Sequence, residues 1–164
     1  MRKRLLLAIA AASIAAVAFG GIVLATASSG VTTTSIGSGH LSPVNFTVKT
    51  GDWMLGLRTK GVSDVIVTES VLIPGGTFGW HSHPGPSLVI VKSGTLSVYH
   101  APDCSSPENF GPGSPLGSTF VDQGHDLHVV RNNTTGVDDV YVVSFVPAGF
   151  LRRIDEDNPN PSVS

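Results

Sequence analysis

The 164-residue chain has little cysteine, little charge and few aromatic rings. Its one cysteine, Cys104, excludes an internal disulfide framework. It lies in a polar, Pro-rich stretch and reads as an exposed, inert thiol. Charged residues make up 13% of the chain, and only Arg2-Lys3-Arg4 forms a basic run, which argues against a nucleic-acid partner. No segment after residue 30 carries a helical period, which argues against a helical bundle. Glycine (19) and proline (11) are abundant instead, as suits a β-rich fold with many turns.

The N-terminus has an export pattern. The basic triplet precedes an apolar stretch from Leu5 to Leu24, and Ala25-Thr26-Ala27 offers a small-residue cleavage site. Residues 1–27 are therefore expected to be a signal peptide or a membrane anchor, the apolar run being long enough for either. Both place the remainder outside the cytoplasm. Without those residues the formal charge falls from −2 to −5.

Residues 28–42 are rich in Ser, Thr and Gly and read as a flexible linker. A domain over 43–149 follows, then a polar tail over 150–164 expected to pack weakly. Strand patterns occur at Asn45–Lys49, Trp53–Lys60, Val65–Ile73, Phe78–His83, Ser87–Lys92, Thr95–His100, Thr119–Val121, Leu127–Arg131 and Val140–Val146. Pro74-Gly75-Gly76 reads as a turn between two of them. Short strands punctuated by turns argue for one all-β sandwich or barrel. Trp53 reads as a core or capping aromatic, and Trp80 as a core or wall residue. Arg58, Lys60 and Arg131 are the basic side chains expected near strands, at the surface.

Chemistry concentrates in Gly75-Gly-Thr-Phe-Gly-Trp-His81-Ser-His83 and the run that follows. On a strand, residues i and i+2 share a face, so His81 and His83 point the same way. Two imidazoles on one face can grip one metal ion, and His128 lies in a second strand-like run. Asp126 shares parity with His128 and is a candidate further donor; a solvated turn residue or an acceptor for a histidine N–H is the blander reading. His125 has odd parity and is expected near a rim, with metal contact the lesser alternative. His40 and His100 read as surface residues.

These residues resemble two motifs of the cupin family. The first runs Gly-x5-His-x-His-x3,4-Glu-x6-Gly. Gly75, His81, His83 and Gly94 fit it, with Ser87 at the glutamate position. The second runs Gly-x5-Pro-x-Gly-x2-His-x3-Asn. Gly117, His128 and Asn132 fit, with Gln123 and His125 at the proline and inner glycine positions. His-Ser-His-Pro-Gly-Pro, Val-Arg-Asn and Val-Pro-Ala-Gly give a nearer likeness to small exported single-domain cupins of actinobacteria.

The resemblance implies a single-domain double-stranded β-helix, a jelly-roll-like barrel, with a metal or ligand in its mouth. It implies His81, His83 and His128 as ligands of a divalent transition metal: iron, zinc, copper, nickel or manganese. Ser87 removes the usual carboxylate and opens a coordination position. The family includes dioxygenases, isomerases, decarboxylases, sugar-binding domains and storage proteins, so it names no reaction. The expected partner is a small-molecule substrate or ligand, with a homodimer compatible with the family. A metal-dependent dioxygenase, isomerase or lyase stands beside a metal-free module for a sugar or other small ligand.

Overall fold

The computed structural model describes residues 25–160 and Val163. The expected signal or anchor segment, residues 1–27, lies outside them except for its last three residues. No helix occurs among the described residues.

Eleven strands form: β1 (Ser29–Leu41), β2 (Asn45–Thr50), β3 (Trp53–Arg58), β4 (Ser63–Ser82), β5 (Ser87–Ser93), β6 (Leu96–His100), β7 (Glu108–Phe110), β8 (Thr119–Asp122), β9 (His128–Arg131), β10 (Asp138–Pro147) and β11 (Ile154–Asp155). Nine of them build one antiparallel sheet whose main path runs β7-β6-β9-β4-β10-β5-β8, with β1 and β11 added along β4. The two ends of that path meet: Phe110 on β7 stacks on Phe120 on β8, ring centroids 4.4 Å apart. The sheet thus curls back on itself, and the all-β, double-stranded β-helix architecture expected from the motifs is the one observed.

Period-2 patterning explains the inside. On β5, Ser87, Val89 and Val91 point inward and are buried, while Leu88 and Ile90 point out. Leu72, Leu96, Val98, Val130 and Val140 join Val89 and Val91 in the main core. A second cluster holds Trp80, Cys104 and Val129. Cys104 is therefore a buried thiol, contrary to the exposed one expected. Its loop folds back so that Sγ faces the carbonyl oxygens of His100 and Pro102.

The 20-residue β4 corrects the expected turn at Pro74–Gly76. The strand continues through that point as a kink. Its first half pairs with β1 and β10, and its second half with β9 and β11. Asn132 clamps the kink from β9's end. Its backbone N–H donates to the Gly76 carbonyl (2.9 Å) and its carbonyl accepts from Gly75 N–H (3.0 Å). Its fully buried side chain donates to the carbonyls of Leu72 and Gly136 and accepts from Thr134 N–H and Oγ1.

The expected linker is also corrected. Residues 29–41 form the long edge strand β1, in register with β4 from Val31↔Leu72 to Leu41↔Ser63. Val31, Ile36 and three threonines give it β propensity, and its exposed outer face accounts for its polar composition. The tail is not loose either. β11 pairs Ile154 and Asp155 with Ser82 and His81, Glu156 N–H donates to the Trp80 carbonyl, and Trp80 Nε1–H donates to the Val163 carbonyl. Trp53 is not core: β2 and β3 form a separate hairpin on which Phe46, Trp53 and Met54 are exposed.

Asn132→Ala strands the buried Leu72 carbonyl and removes three part-buried hydrogen bonds to Gly136 and Thr134, so it is expected to lower stability by about 2 kcal/mol, read as a shifted urea midpoint. A midpoint equal to wild type would show that the kink holds itself.

Candidate metal centre

Antiparallel pairing of β4 with β9 sets His81 directly across from His128. His83 follows two residues on, just past the end of β4. The three ring centroids lie 4.3 Å (His81–His128), 4.9 Å (His81–His83) and 5.4 Å (His83–His128) apart. One nitrogen from each falls within 4.8 Å of the others, and all three residues are buried.

The outer nitrogens fix the tautomers. His81 Nδ1 faces the Gly79 carbonyl (2.8 Å), His83 Nδ1 the Arg152 carbonyl (2.6 Å) and His128 Nδ1 the Asp126 carbonyl (3.0 Å). A carbonyl oxygen only accepts, so each Nδ1 carries the proton and donates. In the neutral ring Nε2 then presents a lone pair. Burial keeps the rings neutral. It is the main cause that pushes His81 down to about 2, helped by the charges of His128 and Arg153 and opposed by the Gly79 hydrogen bond. Burial also lowers His83 and His128, against a partly opposing pull from Asp122. The three lone pairs therefore converge without proton competition at neutral pH.

Gly79 makes the first of these supports feasible. Its φ is +72°, and a Cβ there would sit 2.1 Å from the Thr26 carbonyl. The chain before β1 runs too close for any side chain.

Asp122 is the residue that sequence reasoning missed. Its side chain is 7% exposed, and Oδ2 lies 3.4 Å from both His83 Nε2 and His128 Nε2. That oxygen has no hydrogen-bond partner. It faces two lone pairs, an arrangement that is repulsive unless a cation sits between them. Ion pairing with protonated imidazoles would settle it, but burial disfavours that state. A metal settles it without a proton. Two donors at about 2.1 Å from one tetrahedral ion lie about 3.4 Å apart, the spacing seen. The residues present thus fit a divalent transition ion.

The carboxylate has moved across the ladder. Ser87, at the expected glutamate position, pairs directly with Asp122 in the β5–β8 register. Ser87 Oγ instead shares a hydrogen bond with Ser144 Oγ (2.9 Å). The available signal was the shared inward parity of Phe120 and Asp122 on a four-residue strand.

The other candidates are placed elsewhere. The Asp126 carboxylate pairs with His100 Nδ1 at 2.5 Å; only its backbone carbonyl serves the site, through His128. This is the acceptor role of the blander reading, supplied by the main chain. His125 is exposed at φ 60°, and its backbone N–H donates to the His83 carbonyl; it is not among the clustered donors. His40 pairs with Asp64. Of the basic residues, Arg152 and Arg153, from the tail, line the cavity; Arg58, Lys60 and Arg131 do not.

No family model and no curated protein matches this sequence. Solved structures do. Its structural neighbours are cupin-like proteins. They include a cupin-like protein of Thermotoga maritima (16% identity, TM-score 0.46, covering 60% of this chain and 68% of that one). A conserved double-stranded β-helix protein of Klebsiella pneumoniae gives 17% identity, a TM-score of 0.44, and coverage of 71% and 81%. The DMSP lyase DddQ of Ruegeria pomeroyi gives 13% identity and a TM-score of 0.44, covering 55% of this chain and 42% of that chain. This chain spans less than half the length of that lyase.

In the metal-free protein, nitrogen-15 NMR is expected to show all three rings as the neutral Nδ1–H tautomer at pH 7. They should stay neutral as pH falls through 6.5, their ordinary value. The unfolded chain takes up these protons and the folded one does not, so the metal-free protein loses stability below that pH. A site histidine that protonates near 6.5 would contradict the buried, carbonyl-anchored geometry.

Proposed function

We propose that this protein holds one divalent transition metal on His81, His83 and His128, with Asp122 as a fourth donor, and uses it to bind or convert a small molecule inside the barrel. The observation that carries the reading is three buried histidines with one nitrogen of each within 4.8 Å of the others, and a partnerless buried Asp122 oxygen 3.4 Å from two of them. Three imidazoles and one carboxylate suit zinc, iron, copper or nickel better than an all-oxygen site would.

When bound, such an ion supplies Lewis acidity or, if redox-active, oxygen chemistry to a ligand beside it. The chain's own contribution is orientation and exclusion of water. Gly79, Arg152 and Asp126 carbonyls hold the rings. Phe78, Val89, Phe120, Val130, Val140 and Val142 wall the adjoining cavity with apolar surface. The cavity itself is small, about 40 Å³, room for a few water-sized groups beside the histidines, and it opens outward at its mouth. The basic, apolar N-terminus read from sequence supports an extracytoplasmic location for this activity.

Elemental analysis of the full chain, purified without chelator, is expected to give about one equivalent of transition metal per chain. The His81→Ala/His83→Ala double variant should carry none. Asp122→Asn should keep the stoichiometry with affinity lowered about tenfold or more, measured against a chromophoric chelator. A wild-type chain that takes up no ion after incubation with each candidate metal would leave a metal-free binding barrel as the better reading.

A further inference from the structure

The tail brings two arginines to the cavity, and one of them has a guanidinium edge without an acceptor. Arg153 donates its Nε–H to Asp155 Oδ1 at 2.5 Å. Its other two nitrogens, Nη1 and Nη2, are shielded from water and have no hydrogen-bond partner. The side chain is 15% exposed and lines the same cavity as the three histidines. It stands near enough to His81 for its charge to depress that ring's proton affinity.

Buried charged donors without an acceptor are costly, and native proteins rarely leave them so. Two guanidinium nitrogens side by side form a fork that matches the two oxygens of a carboxylate. The charge around the cavity has the same preference. Among its lining side chains, Arg152 and Arg153 are the cations and Asp122 the single anion. A divalent ion on the histidines adds to the excess of positive charge. Most of the remaining wall is apolar, from Phe78 and Val89 to Val142. A sugar would leave its hydroxyl groups against that wall without partners, whereas a short aliphatic body would fit it.

We infer that the cavity takes a small organic carboxylate, its anionic end gripped by the unpartnered edge of Arg153 and its apolar body lying against the barrel wall. The inference rests on the metal reading above, because a divalent ion on the histidines of the same cavity adds to the positive charge that draws the carboxylate. It names the class of substrate and gives the tail a function. β11 places Arg153 beside the site, and Arg152 contributes the carbonyl that holds His83.

The test uses the full chain loaded with zinc and titrated calorimetrically with butanoate and with butanamide, its neutral near-isostere. Butanoate is expected to bind one per chain, and butanamide about tenfold or more weaker. Arg153→Gln should weaken butanoate by a similar factor while zinc uptake stays at the wild-type level. Arg153→Lys, which keeps the charge but not the fork, should fall between them. A tail unfolded by Arg153→Gln would show as lost zinc uptake, since His83 leans on the neighbouring carbonyl. Arg153→Lys then decides, with weakened butanoate binding at full zinc uptake supporting the inference and unchanged binding overturning it. If zinc-loaded wild type binds no butanoate, binds butanamide equally well, or is matched by Arg153→Gln, the carboxylate site is wrong and the metal site stands. If the wild type takes up no zinc, both fall together.

Discussion

The site depends on one constraint: three imidazoles are held from behind by backbone carbonyls. Because the carbonyl oxygens of Gly79, Arg152 and Asp126 can only accept, each ring must keep its proton on Nδ1 and turn a lone pair inward. Burial then removes the option of a second proton. Asp122 adds a partnerless carboxylate oxygen 3.4 Å from two of the inward nitrogens, an arrangement of acceptors that suits a cation. The side chains supply the donors, and the main chain fixes their tautomers.

That enforcement explains features of the fold far from the histidines. β4 runs 20 residues because one half supports the sheet and the other delivers His81. The kink between them lets the strand serve two sets of neighbours, and Asn132 locks it with backbone hydrogen bonds to Gly75 and Gly76 and a side-chain bond to the Leu72 carbonyl. Gly79, directly before Trp80, must be glycine so that the chain ahead of β1 can pass. The tail closes the arrangement from the other side. A two-residue strand carries one carbonyl to His83 and one guanidinium to the cavity.

The strands and the three histidines were legible from the chain because both rest on local signals. Alternation on Ser87–Val91 and the His-x-His parity need no knowledge of distant partners. The features that sequence reading missed are those decided by distant contacts. Residues 29–41 look like a linker because an exposed edge strand has no apolar face to display; only β4 makes them a strand. Pro74-Gly75-Gly76 has turn composition, but Asn132 from β9 reaches it and keeps the strand running. Asp122 shares inward parity with Phe120 on a four-residue strand, but its role follows only from facing Ser87 across a ladder. Arg153 lies in a polar, acidic tail whose docking depends on pairing with His81 and Ser82. Cys104 is buried by the refolding of a loop with no period of its own.

The most direct test is a crystal structure of the metal-loaded chain with anomalous scattering measured across the metal's absorption edge. The account predicts one peak, about 2.1 Å from Nε2 of His81, His83 and His128 and within bonding distance of Asp122 Oδ2. A peak held instead by Asp126 and His100 at the rim, or no peak at all in a chain with the same barrel, would contradict it.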